Sequence, residues 1–179
     1  MMEAVLVIDM IREFVTGKFG FEGARRIVPP LKRVLTKARE KGVCVIFACD
    51  SHQIGDPELS VWGEHAMKGT ADAEVIPELT PASGELVIKK RTYSSFFGTE
   101  LEKVLREAGV THLILTGVVT DICVRHTAAD AFFRGFRLTV LSDCTASPQE
   151  LSHSEALDYM KRMYGARILS SGELLEEWG

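Results

Sequence analysis

Five short apolar runs punctuate the chain, at residues 4–8, 43–48, 86–88, 112–116 and 138–141. They are continuous rather than alternating, and they are rich in β-branched residues such as Val5, Val7, Ile8, Val45 and Ile46. Such runs predict strands buried on both faces, as in a parallel sheet. Between them the period changes. Over residues 28–41, Leu31, Val34, Leu35 and Ala38 recur at helical spacing, and Gly42 follows as a stop. Helices are likewise predicted over 98–108, 121–134 and 154–164, each followed by a glycine, at Gly109, Gly135 and Gly165. A short strand at 167–169 and a short helix over 171–178 complete the pattern. Strand and helix in alternation predict an α/β fold, a doubly wound, mostly parallel sheet flanked by helices.

The 179 residues suit one domain spanning 1–179. The pattern shows neither repeats nor a linker. One stretch breaks the rhythm. Residues 50–79 are polar and punctuated by glycine and proline, and long loops in compact domains are usually functional.

Composition narrows the class. The chain is 46% hydrophobic and 26% charged, with a net charge of −4. Its basic residues are scattered, which argues against a nucleic-acid groove. No apolar run reaches the ~18 residues of a membrane span. The first ten residues lack the basic start and cleavage site of a signal peptide. The four cysteines, Cys44, Cys49, Cys123 and Cys144, form no C-x-x-C pair, so neither a disulfide framework nor a redox motif is expected. These features predict a cytoplasmic protein with no nucleic-acid or membrane partner.

In doubly wound sheets, ligands bind beyond the carboxyl ends of the strands. That rule brings Asp9, Asp50, His52, Lys89, Lys90 and residues 117–123 to one edge. Cys123 follows a strand and sits near a helix start. There the helix dipole lowers a thiol pKa and free backbone N–H groups can cradle an oxyanion. Asp9 and Lys90 each end an apolar run, where an unpaired buried charge is costly, so the two can neutralise each other. As catalysts, Asp9 would take the thiol proton and Lys90 would hold the charges on Asp9 and the thiolate. Composition alone does not separate Lys90 from Lys89.

Asp50-Ser51-His52 puts two ligand types on alternating residues, so both can point the same way in an extended segment. Glu58 and His65 follow in the same loop, and Asp56 is a rival to Glu58. Two histidines and two carboxylates suit zinc, iron or manganese. His112, His126 and His153 read as packed, hydrogen-bonded residues.

Four segments together resemble the isochorismatase-like cysteine hydrolases, a family that includes nicotinamidases, N-carbamoylsarcosine amidases and ureidoacrylate amidases. Val7-Ile8-Asp9-Met10-Ile11-Arg12-Glu13-Phe14 is similar to its first strand and catalytic aspartate. Lys90-Arg91-Thr92-Tyr93-Ser94-Ser95-Phe96 is similar to its K-x-x-Y-S-x-F segment, and this spacing selects Lys90. Gly117-Val118-Val119-Thr120-Asp121-Ile122-Cys123-Val124 is similar to its nucleophile motif. Asp50-Ser51-His52 with His65 resembles the metal loop of nicotinamidases.

The resemblance implies a Rossmann-like three-layer sandwich and a triad of Asp9, Lys90 and Cys123. It implies a cis peptide between Val118 and Val119, with the Val119 and Cys123 N–H groups as oxyanion hole. It also implies a divalent metal, zinc foremost, on Asp50, His52, Glu58 and His65, with no organic cofactor. Phe14, Trp62 and Tyr93 would line the substrate pocket, and the assembly would be a homo-oligomer, a dimer or tetramer. One departure stands out. Glu58 occupies a position where nicotinamidases commonly carry histidine, and the segment from Asp56 to Thr70 looks closer to a subgroup that includes N-carbamoylsarcosine amidase. Isochorismatases proper work without this metal site. The expected activity is metal-assisted, cysteine-dependent hydrolysis of a small carboxamide through a thioester, with release of ammonia. A nicotinamidase-like substrate leads. N-carbamoylsarcosine or ureidoacrylate is the alternative, and a non-catalytic binding protein on a hydrolase fold is the alternative of another class.

Overall fold

The computed structural model describes residues 2–179. Six strands form one parallel sheet: β1 Met2–Ile8, β2 Cys44–Asp50, β3 Leu86–Lys90, β4 Val110–Val118, β5 Arg137–Ala146 and β6 Arg167–Leu169. Their order across the sheet is β3-β2-β1-β4-β5-β6. The chain thus winds one way from β1 to β3 and the other way from β4 to β6. The reversal lies between β1 and β4, where a crevice opens in this topology.

Alternation along β1 assigns the two faces. Val5 and Val7 enter one apolar layer with Val34 and Leu35 of α3 (Val28–Lys41) and with Leu174 and Trp178 of α8 (Ser171–Trp178). Ala4, Leu6 and Ile8 enter the other layer. There they meet Leu101 and Leu105 of α5 (Leu101–Glu107), Ala128 of α6 (Arg125–Phe133) and Met160 of α7 (Glu150–Tyr164). Both faces of the sheet are therefore covered, which is why the strands read as unbroken apolar runs. The three-layer α/β architecture is the one expected.

The differences are local. Short helices α1 (Arg12–Val15), α2 (Glu22–Arg26) and α4 (Leu59–Trp62) lie where the periodicity assigns nothing. The helix expected from residue 121 starts instead as a π-helical turn over Thr120–Val124 and becomes regular at Arg125. α7 begins at Glu150, a turn before the expected residue 154. β5 continues to Ala146, well past residue 141, through the polar Ser142 and Asp143. Asp143 is used at long range: its carboxylate accepts from Ser171 N and Ser171 Oγ, both at 2.6 Å, and so anchors the start of α8.

At the switch point β1 and β4 run in register, Ile8 beside Gly117. Gly117 has φ +104°, a conformation that side-chain-bearing residues rarely adopt. The close approach sets the end of β1 against the end of β4 and so fixes where the next residues of each strand emerge.

Candidate active site

The chain turns as soon as β1 ends. Asp9 has φ +53°, and its N–H donates to the Ala48 carbonyl at 2.9 Å. Its side chain is fully buried. Oδ1 accepts from Asp50 N at 2.8 Å, and Oδ2 lies 2.8 Å from Lys90 Nζ. Lys90 ends β3 in register with Asp50 and is also fully buried. Its ammonium donates to Asp50 Oδ1 at 2.5 Å and to Thr92 O at 3.1 Å, and stands 3.7 Å from Cys123 Sγ. Lys89, one residue earlier, points the other way and reaches Ala73 O at 3.4 Å on the surface. Strand alternation thus separates two lysines that composition cannot.

Cys123 projects from the π-helical turn, 6% exposed. Its Sγ and carboxylate oxygens of Asp9 and Asp50 all lie within 4.8 Å of one another. The peptide between Val118 and Val119, just before the turn, is cis.

The electrostatics correct one expectation. Burial pushes the Cys123 thiol well up, and Asp9 and Asp50 push it the same way, against the pull of Lys90. The net shift is therefore upward, opposite to the lowering expected near a helix start. Burial, then Asp50, raise Asp9 to about 7 against the pull of Lys90. Burial alone would lower Lys90, yet Asp50 and Asp9 hold it well above its ordinary value. Burial alone would raise Asp50, but Lys90 and His52 hold it below the usual range. A carboxylate poised near neutrality beside a protonated thiol is suited to taking its proton.

Beyond Asp50 lies a second cluster. Ligand-type atoms of Asp50, His52, Glu58 and His65, all buried, lie within 4.8 Å of one another. His52 Nε2 sits 3.6 Å from Asp50 Oδ2 and 3.6 Å from Glu58 Oε2. Its Nδ1 faces Asp56 Oδ2 at 3.2 Å, while His65 Nδ1 faces the Gly63 carbonyl at 2.8 Å. In each ring the outer nitrogen is taken, which leaves Nε2 with its lone pair for the cluster. His52 Nε2 and Glu58 Oε1 are buried with no hydrogen-bond partner. Orphaned buried polar atoms on two neighbouring ligand-type residues fit a cation. Asp56, the rival to Glu58, is turned away: Arg91 pairs with it and holds its carboxyl down at about 2. Asp56 instead orients His52. Burial and Asp50 raise Glu58, while burial would lower His52 and the nearby carboxylates of Asp50, Asp56 and Glu58 more than offset this.

One cavity of about 290 Å³ joins the two clusters, with Cys123 and Val119 on one side and Asp50, Glu58 and His65 on another. Phe14, Trp62 and Tyr93 also line it. The Trp62 indole N–H donates to Tyr93 Oη at 3.0 Å, which ties two of these rings together. Sequence reasoning missed Phe19 and Phe21, also in the wall. Phe19 meets His65 edge-on with ring centres 5.5 Å apart, and its neighbours in sequence give no hint of this. It also missed Glu13, a buried carboxylate that accepts from Ala66 N at 2.9 Å and so anchors the loop beside His65.

The remaining histidines mostly behave as read. His112 is buried between Glu3 and Thr139, and His153 is buried against Thr120 Oγ1 at 2.8 Å. His126 differs. It is exposed rather than packed, although its Nδ1 meets the Ile122 carbonyl at 2.7 Å and its ring lies 5.3 Å from that of Tyr93.

A family model described as the isochorismatase domain matches residues 3–173. The chain belongs to the isochorismatase family. Among solved structures, this family member is 40% identical to an N-carbamoylsarcosine amidase from Thermoplasma acidophilum, at a TM-score of 0.91 over 96% of this chain and 97% of that one. It is 34% identical to a nicotinamidase from Bacillus subtilis, at 0.90 over 95% and 100%. It is 30% identical to a pyrazinamidase from Pyrococcus horikoshii in complex with zinc, at 0.87 over 94% and 98%. The enzyme class expected from the sequence, a hydrolase of carbon–nitrogen bonds other than peptide bonds, is the class of these isochorismatase-family relatives. No helix among the described residues is long and apolar enough to cross a membrane.

Proposed function

We propose that this chain is a cysteine-dependent, metal-assisted amidohydrolase that releases ammonia from a small carboxamide. What carries the reading is one juxtaposition: Cys123, 3.7 Å from Lys90 and grouped with Asp9, shares a cavity of about 290 Å³ with Asp50, Glu58 and His65, three members of the cluster that His52 completes. The volume sits at the small end of ligand pockets. The named relatives support the same class.

In the proposed sequence, Asp9 takes the Cys123 proton as Sγ attacks the amide carbon. The Val119 and Cys123 N–H groups receive the oxyanion. Asp9 returns the proton to the leaving nitrogen, the C–N bond breaks, and ammonia departs from a thioester. Asp9 then takes a proton from water as it attacks the thioester, the carboxylic acid leaves, and the thiol is restored. Lys90 stays charged throughout and keeps Asp9 anionic when its proton is away. Asp50, His52, Glu58 and His65 would hold the metal, zinc in the first instance. When bound, it would supply Lewis acidity toward a donor atom of the substrate. The aromatic wall of Phe14, Trp62 and Tyr93 favours a planar, nicotinamide-like substrate. The N-carbamoylsarcosine alternative is supported by the 40% identical relative. Assembly as a dimer or tetramer belongs to the same proposal, and exposed Phe132, Phe133, Leu151 and Met163 on α6 and α7 favour it.

Ammonia release assayed with nicotinamide, N-carbamoylsarcosine and ureidoacrylate tests the activity. Turnover of at least one is expected, and silence across all three contradicts the reading. For the metal, elemental analysis is expected to find one divalent ion per chain. The double variant Glu58→Gln, His65→Ala is expected to lose it. A metal-free protein with undiminished activity would remove the four residues from the mechanism.

A further inference from the structure

The ionisable groups of the cavity wall are unevenly balanced. Asp50 faces Lys90, and Asp50 and Glu58 both belong to the proposed metal cluster, so their charges have cationic partners. Asp121 also lines the cavity, on the side formed by Pro148, Gln149 and Ser152. Its Oδ1 accepts from the Ser147 hydroxyl at 2.5 Å, a neutral partner. Arg125, one turn along the helix, lies instead over the Tyr159 ring at 3.9 Å. Among the described residues no lysine or arginine lines the cavity. Lys18, beside the wall residue Phe19, spends its ammonium on the Glu64 carbonyl at 3.2 Å.

We propose that Asp121 is a specificity-determining residue that excludes anionic substrates, so that this pocket takes uncharged amides. The inference rests on the amidohydrolase reading and names its substrate class. A carboxylate on the substrate would enter a cavity that already presents the Asp121 carboxylate and has no lysine or arginine in its wall to pair with, the proposed metal being shared by Asp50 and Glu58. Coulomb repulsion between two carboxylates brought close in one cavity is strong enough to discriminate by about tenfold or more. N-carbamoylsarcosine and ureidoacrylate both carry a carboxylate, whereas nicotinamide carries none. The filter therefore separates the candidate substrates on charge rather than shape. It sets this chain apart from the substrate in the name of its 40% identical relative.

The test uses charge-matched pairs on the metal-loaded protein: N-carbamoylsarcosine against its methyl ester, and succinamate against succinamide. Two readouts are taken, ammonia release as kcat/KM and calorimetric binding to the Cys123→Ala variant. The neutral member of each pair is expected to be preferred by about tenfold. Asp121→Asn, which keeps an acceptor for Ser147, is expected to shrink that preference about fivefold or more, and Asp121→Glu to restore it. Equal treatment of acid and neutral partner, or a ratio unmoved by Asp121→Asn, overturns the filter even if ammonia is released. Preferential binding of the neutral members with no ammonia from any of the four or from nicotinamide upholds the filter and sinks the amidohydrolase reading. Failure of all four compounds to bind or turn over overturns the filter, and the amidohydrolase reading then stands or falls with the nicotinamide assay.

Discussion

Cys123→Ala is expected to lower ammonia release by about 10⁴-fold or more while the protein still folds. The chemical loss is total because no other group in the cavity can form the thioester. Asp9 and Lys90 keep their pairing without the sulfur, since their 2.8 Å contact and the Asp50 bond are independent of it. The structural loss is small. One sulfur leaves a pocket-lining position, which costs on the order of 1 kcal/mol in a core of this kind. Circular dichroism and thermal melting should therefore match the parent within a few degrees. Full activity in this variant would remove Cys123 from the mechanism, and a collapsed melting curve would mean that the thiol is structural.

Gly117→Ala is expected to destabilise the fold by about 4 kcal/mol or more, read as a lowered urea midpoint or as insoluble protein. Two costs coincide. An alanine must adopt φ +104°, and its Cβ would overlap the Ile8 carbonyl oxygen and lie 2.7 Å from the carbonyl carbon and amide nitrogen of Ile8. These are backbone atoms of the neighbouring strand, so no rotamer change relieves the overlap. Relief would have to part β1 from β4 at the switch point, where Asp9 and the cysteine turn emerge. A variant within about 1 kcal/mol of the parent would contradict the close approach that positions the site.

The sheet was legible because both its faces are buried. Parallel strands covered by helices lose the alternation of half-exposed strands and become the apolar runs of the sequence. The carboxyl ends of those strands bring Asp9, Lys89, Lys90 and the segment with Cys123 to one edge with no further information. The family resemblance was needed to choose Lys90 over Lys89, a choice the structure makes by strand alternation. What stayed hidden depends on contacts remote in sequence. Arg91 meets Asp56 across 35 residues and so leaves Glu58 to face the cluster. Asp143 looks like the end of a strand until Ser171 is brought beside it. The π-helical turn that carries Cys123 has no residue signature. α1, α2 and α4, at four or five residues each, are too short to show a period. The direction of the Cys123 shift was also out of reach, because it is set by burial, which the helix position does not reveal.

The thioester is the central claim, and partitioning with hydroxylamine tests it most directly. Hydroxylamine added during turnover competes with water for the acyl group on Cys123. A hydroxamate is expected that rises with hydroxylamine concentration, forms together with ammonia, and disappears in Cys123→Ala. Ammonia and free acid with no hydroxamate at any hydroxylamine concentration would mean that water attacks the amide directly, and would contradict the account.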